Sequence, residues 1–444
     1  MHLIPSRNKR PSPGGMGLAR FIGTLLVMTM SQGAAQIQPS YNLAPLYYDQ
    51  AVENNTISRL QAAIEEQRRT LPGSDPKQLL KALLDELNIP LSSQTLVFSK
   101  TSMQRDLIGP KNPRVLYFNQ DFYVGYVPGG IIEVIACDDP SGMMFYSLDP
   151  SGPAKERRFL RSNDCLSCHA NANTSDVPGL LVRSVFADAG GQPQLDWGSF
   201  TTTPSSPLSE RWGDWYVTGS HGAKRHLGNQ WLKTDPDGKA VFREQDGQNV
   251  GDLSQYLDTE HYLTDTSDIV ALMIMEHQIE AHNVMTAARM NFLRYEYLSK
   301  AMHDGQFDPT DDASAKIIQA HVDKILGVLL FANELPLAGD AVQGRKDYVR
   351  DFKERGVEYN GWSLRDLRLQ KRLFKYRCSY MIRSASFKML PEPLKMQTLQ
   401  QLHAILNKDL TPAGLPVLSD REKDRIHQIL WHTLPAYQQC ATSH

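Results

Sequence analysis

Five adjacent residues, Cys165-Leu166-Ser167-Cys168-His169, carry the most specific chemistry in the chain. C-x-x-C-H is the attachment signature of a c-type haem. Two thiols at this spacing reach the two vinyl groups on one edge of a porphyrin and form thioethers. The histidine that follows is then held beneath the ring, where it binds the iron from the proximal side. With 5 Cys and 13 His in 444 residues, composition alone yields about 0.002 occurrences of the motif. The rival chemistries fit less well. A zinc site wants further Cys or His at short spacing, and no second C-x-x-C is present. A thioredoxin-like pair follows a strand in a βαβ unit, which Asn163-Asp164 does not suggest. A disulfide between residues so close is strained. The expectation is one covalent haem c, with thioethers from Cys165 and Cys168 and His169 as proximal ligand.

A haem that only carries electrons has two protein ligands, whereas one that does chemistry keeps a side open. His277 is the first choice for the second ligand and His282 is its neighbour, both in MIMEHQIEAHN. Five residues apart on a helix, they point about 140° from one another, so a straight helix aims only one of them at a given iron. Glu276 and Glu280 are the nearby carboxylates able to satisfy such a buried imidazole. His221 and His226, in the glycine-flanked GSHGAKRHLGN, are alternatives for ligation or for a distal acid/base role. Met273, Met275 and Met285 offer thioethers. Trp212, Trp215 and Tyr216 read either as a haem wall or as ordinary core. Arg161, Arg183 and Arg211 are candidates for pairing haem propionates. Cys137, Cys378 and Cys440 read as buried thiols, with a Cys378–Cys440 pair as the alternative.

Several elements must position these groups. Arg7, Lys9, Arg10 and Arg20, the apolar run Phe21 to Met30 and the small Gly33-Ala34-Ala35 read as an export signal over residues 1–35, which places the mature chain in the periplasm. No later run reaches the roughly 20 apolar residues of a membrane span, so no integral membrane segment is expected in the mature chain. Residues 36–150 read as helices, with Ile57, Leu60 and Ile64 and then Leu79, Leu83 and Leu87 at helical spacing, followed by antiparallel strands. The strand runs are LVFS, RVLYFN, FYVGYV, IIEVIAC and MMFYSL. Residues 151–300 form the haem-binding region. It begins as an irregular, turn-rich block with a short strand at Leu180 and ends in a long helix capped by Ser267 or Asp268. Residues 301–444 read as helical, with segments near 313–332, 339–355, 364–374, 394–407 and 420–433. The fold class is therefore α+β, with a strand-rich N-terminal part and a mainly helical C-terminal half. Hydrophobic residues make up 41% of the chain and charged residues 22%, which excludes global disorder. A net charge of −2 argues against a nucleic-acid grip through bulk charge.

With these stretches in hand, the chain resembles exported bacterial cytochrome c domain proteins that bear one C-x-x-C-H motif. The likeness runs through LVFSKTSMQRDLIGPKNPRVLYFNQDFYVGYVPGG, CLSCHANANTSDVPGLLVRSV, RWGDWYVTGSHGAKRHLGN, SDIVALMIMEHQIEAHN and CSYMIRSASFKMLP. It implies haem binding and electron transfer with a redox partner protein or a small-molecule donor or acceptor, and it names no substrate. The chain departs from a small cytochrome c, since its motif lies far from the N-terminus and no short helical domain with a downstream ligand Met follows. That extra mass keeps an alternative open: a haem-dependent oxidoreductase of peroxidase or oxygenase type with an open distal site.

Overall fold

The computed structural model describes residues 38–243, 245–337, 341–408 and 412–442. The leader read over residues 1–35 lies outside them. Helices α1 (Thr56–Glu65) and α2 (Pro76–Glu86) start where their caps require. Asn55 accepts from the Ser58 N–H in a reciprocal capping box, and Asp75 accepts from the Gln78 N–H ahead of Pro76. Ile57, Leu60 and Ile64 on α1 and Leu79, Leu83 and Leu84 on α2 are buried.

The five apolar runs form consecutive antiparallel strands: β1 (Thr95–Val97), β2 (Arg114–Phe118), β3 (Phe122–Tyr126), β4 (Ile132–Ala136) and β5 (Met144–Leu148). Two short strands that the runs do not announce, β6 (Phe159–Arg161) and β9 (Trp215–Tyr216), complete a seven-stranded sheet in the order β6-β5-β4-β3-β2-β1-β9. A second small sheet pairs β7 (Val182–Val185) with β8 (Ser199–Thr202). Cross-strand pairing places Gly125 opposite Leu116 and Glu133, and Ile135 opposite Phe145. Side chains alternate faces, so Arg114, Glu133, Ile135 and Phe145 share one face of the main sheet.

The motif forms α3 (Leu166–His169), a single turn entered from a 3₁₀ turn over Asn163–Cys165. The long helix α4 (Ile269–Met302) is capped by Asp268, whose carboxylate accepts the N–H groups of Val270 and Ala271. Its stretch Ile269 to Ile279 is buried on all sides. α4 runs across the position where the sequence divides a haem region from a C-terminal region at residue 300, and the chain from Pro39 onward packs as one unit. The remaining helices are α5 (Asp312–Leu329), α6 (Lys346–Glu354), α7 (Ala385–Lys388), α8 (Glu392–Asn407), α9 (Asp420–Thr433) and α10 (Pro435–Thr442). The fold is thus α+β, with the strands mainly in the first half and the helices mainly in the second. No helix among the described residues is long and apolar enough to cross a membrane.

One expected helix is absent. Residues 364–374 form a turn-and-bridge segment in which Leu367 pairs with Phe374 and the Arg368 N–H donates to Leu373 O. Leu369 sits at φ 32°, outside helical backbone. Tertiary contacts override the local leucine pattern here: Arg365 stacks on Phe352 and Tyr380, and Asp366 accepts the Lys375 N–H on its carbonyl.

Candidate functional site

His169 is locked to residue 179 in both directions. Its Nδ1 lies 2.9 Å from Gly179 O, and its own carbonyl accepts the Gly179 N–H at 2.7 Å. A carbonyl can only accept, so Nδ1 carries the hydrogen. Burial holds the imidazole pKa below its ordinary value, and the Gly179 bond opposes that shift. The ring is therefore neutral near pH 7, and its lone pair sits on Nε2. Phe145 of β5 supports the ring at a centroid distance of 5.2 Å.

The nine-residue loop between the two locked positions is built by local bonds. Asn171 accepts from the Asn173 N–H and donates to Cys168 O. Thr174 Oγ1 accepts the Asn171 N–H. The far end is pinned from α4, where Asn283 accepts the Leu180 N–H at 2.9 Å and donates to Leu180 O at 2.6 Å. Glycine is required at 179, because a Cβ there would come within 2.6 Å of Asn283 Oδ1 and 2.9 Å of Thr174 Cβ. Asn283→Ala removes both bonds to Leu180 and leaves that peptide without them. The expected cost is about 1–3 kcal/mol, read as a lowered midpoint in chemical denaturation.

The thiols and their surroundings suit covalent haem attachment. All five cysteines are free. Cys165 is partly buried and Cys168 exposed. Burial raises the Cys165 pKa, and a hydrogen bond with Ser162 acts against it. Arg114 and Glu133, ion-paired to each other on the sheet face, are the charges felt by both Cys165 and His169. Gly125 makes this pair reachable: a Cβ on it would lie 2.8 Å from Arg114 Nη2, so the bare backbone of β3 lets the guanidinium cross from β2 to β4. Two free thiols on one helical turn, followed by an imidazole with its tautomer set and Nε2 directed to no described hydrogen bond, are the donor set a c-type haem needs.

The other candidates lie elsewhere. His277 Nε2 is 2.6 Å from Ser379 Oγ, and its ring packs on Phe331 at 4.5 Å. Burial pushes its pKa to about 3, with His282 adding to the shift. His282 uses both nitrogens: Nε2 donates to Gln120 O at 2.9 Å, and Nδ1 accepts from Ser386 Oγ at 2.7 Å. It too is held neutral by burial, with its pKa pushed to about 4. The pair therefore addresses different elements, as their five-residue spacing on α4 demands. It is Asn283, on a third face of that helix, that reaches the motif loop. His221 donates from Nδ1 to Lys224 O and accepts the Asn249 N–H on Nε2. His226 accepts the Gly228 N–H on Nδ1, so its Nε2 carries the hydrogen and offers no lone pair. Met273, Met275 and Met285 are core residues.

The aromatic and basic candidates also have other work. Trp212 is fully buried and donates from Nε1 to Glu276, and Trp215 and Tyr216 form the edge strand β9. Arg161 donates to Tyr48 O and Ala51 O, Arg211 pairs with Glu276, and Arg183 bonds Ser199 Oγ. Cys137, Cys378 and Cys440 are buried thiols with no disulfide among them, and burial pushes Cys378 up to about 12 and Cys440 to about 11. No group of three or more His, Cys, Asp or Glu among the described residues is arranged to hold a metal ion by itself. Spacing alone marks the motif itself, but Arg114, Glu133, Phe145, Gly179 and Asn283 come to it through the tertiary fold.

Comparison of the chain with protein-family models, with curated proteins and with solved structures finds no match to any of them.

Proposed function

We propose that this chain carries one covalently attached haem c and transfers electrons in the periplasm, to or from a redox partner protein or a small-molecule donor or acceptor. The observation that carries the reading is the two-way clamp between His169 and Gly179 beside two free thiols on one turn. Cys165 and Cys168 would hold the haem by thioethers, and His169 Nε2 would bind its iron. When bound, the haem supplies a reversible one-electron couple. The Gly179 carbonyl fixes the imidazole tautomer and raises its basicity, a standard lever on ligand strength. Asn283 keeps that carbonyl's chain segment in place from α4.

A second reading is a haem-dependent oxidoreductase with an open distal site. It is favoured by one observation: His221 and His282 have both ring nitrogens in hydrogen bonds, His226 spends its lone pair on the Gly228 N–H, and the Ser379-bound His277 serves another element.

One experiment tests both readings. The chain is produced in a periplasm supplied with haem-attachment machinery, and its absorption spectrum is recorded oxidised, reduced, and reduced under carbon monoxide. A covalent low-spin spectrum unmoved by carbon monoxide is the result expected of the carrier. A spectrum that shifts with carbon monoxide selects the open site. A colourless chain overturns both.

A further inference from the structure

A cleft of about 400 Å³ that shares no lining residue with the motif lies between the β2–β3 turn, α6 and the segment around Tyr380. Four cations line it: Arg355, Arg365, Arg383 and Lys388. None of the four pairs with a carboxylate among the described residues. Arg355 donates to Asn88, and Arg383 to Thr433. The single carboxylate in the lining, Asp121, accepts the Ala385 N–H, and burial pushes its pKa up to about 6.

Arg365 is the unusual member. It is only 9% exposed, yet it forms no ion pair among the described residues, and the Asp121 carboxylate acts on it only from a distance. Its guanidinium lies over the rings of Phe352 and Tyr380, at 4.8 and 4.5 Å from their centroids. Only Nη2 has a described side-chain partner, Gln120 Oε1 at 2.7 Å. A guanidinium has five N–H donors in one plane, so the aromatic rings cover its face and leave edge donors unused. Burial pulls its pKa below its ordinary value, and the Asp121 charge opposes that shift only weakly. An independent observation falls in the same cleft. Tyr348, 2% exposed, has a buried hydroxyl with no hydrogen-bond partner among the described residues. Both groups ask for an acceptor. The surrounding walls, Phe118, Phe122 and Phe352 with the two tyrosines, are aromatic. Clefts of roughly 300–1,000 Å³ with apolar walls and a few convergent polar groups are the usual shape of small-molecule sites.

We propose that this cleft binds a small aromatic carboxylate, its carboxylate on the unused edge of Arg365 and its ring against the aromatic wall. A bidentate carboxylate matches the guanidinium fork better than a lone hydroxyl or amide does. The site is separate from the Cys165–His169 motif, and its occupancy does not depend on haem.

Titration calorimetry of the purified full-length protein tests the proposal with three probes. Benzoate supplies ring and charge, inorganic phosphate charge alone, and benzyl alcohol ring alone. Saturable benzoate binding is expected, with phosphate and benzyl alcohol at least about tenfold weaker. Arg365→Gln is expected to weaken benzoate by roughly 10- to 100-fold, the loss of charge-assisted hydrogen bonds. Arg355→Gln, on the exposed rim, should weaken it by a few-fold and keeps the test decisive if Arg365→Gln does not fold. No benzoate binding to the wild type overturns the proposal. So does phosphate or benzyl alcohol binding as tightly as benzoate, a folded Arg365→Gln that binds undiminished, or, where that variant fails to fold, an Arg355→Gln affinity equal to wild type.

Discussion

Cys165→Ala combined with Cys168→Ala is expected to abolish all pigment that survives denaturation. The wild-type chain, made alongside haem-attachment machinery, should stay coloured on a denaturing gel stained for haem. The argument rests on bond type. Thioethers persist when the fold is lost, whereas an imidazole–iron bond from His169 alone does not retain haem in an unfolded chain. The fold itself should tolerate the change. Cys168 is exposed and Cys165 only partly buried, neither is in a disulfide, and surface truncations of this kind usually shift stability by under about 0.5 kcal/mol. Unchanged far-ultraviolet circular dichroism in the double variant would therefore tie the loss of colour to the missing thiols. His169→Ala is expected to behave differently: covalent attachment continues, while the spectrum loses the features of a histidine-bound iron. A double variant that still carries covalent pigment would refute the thioether reading outright.

The sheet was legible because each strand is short, β-branched or aromatic, and bounded by turn residues. Five consecutive runs gave five consecutive strands, β1 to β5. The edges were not. β6 and β9 are two or three residues long and exist because neighbours offer ladder partners, so no period of two has room to show. Asp268 could be read as the cap of α4 because capping is local chemistry. The helix expected over 364–374 failed for the opposite reason, since Arg365 answers to Phe352 and Tyr380 outside the segment while Leu367 bridges back to Phe374. The same division runs through the site. Cys165, Cys168 and His169 lie within five residues, and their chemistry is a matter of spacing. The groups that orient them come from Gly179, Asn283 on α4, Phe145 on β5, and Arg114 and Glu133 on the sheet. Nothing in a one-dimensional pattern connects those positions. The histidines on α4 illustrate the limit most plainly. Their burial follows from the apolar run before them, but whether each meets iron or a serine depends on the 379–386 segment, about a hundred residues downstream.

The second large effect is expected at Arg211 and Glu276, which lie behind β8 and join the loop after it to α4. Glu276 is fully buried and accepts three hydrogen bonds on its two oxygens: Thr202 Oγ1 at 2.7 Å and Trp212 Nε1 at 3.1 Å on Oε1, and Arg211 Nη1 at 2.6 Å on Oε2. Arg211 is held in turn by the carbonyls of Pro204 and Ser206. Burial raises the Glu276 pKa, and the Arg211 charge is the largest influence opposing that rise. Arg211→Met keeps much of the side-chain bulk and removes the charge, so a buried carboxylate is left without its cation. Breaking one side of such a pair costs about 3–5 kcal/mol. The pH dependence gives the prediction its signature. A carboxyl whose folded pKa is raised contributes stability below its unfolded pKa, near 4.3, and loses that contribution as the pH climbs through the folded value. Removing Arg211 raises the folded value further, so the variant's deficit against wild type should grow as the pH climbs past the wild-type folded value, which burial already holds above the ordinary carboxyl range. Urea denaturation of both proteins at pH 5 and pH 8 measures this directly. A deficit that is equal at the two pH values would mean that Arg211 acts through packing and its carbonyl contacts, and that its charge on Glu276 contributes little.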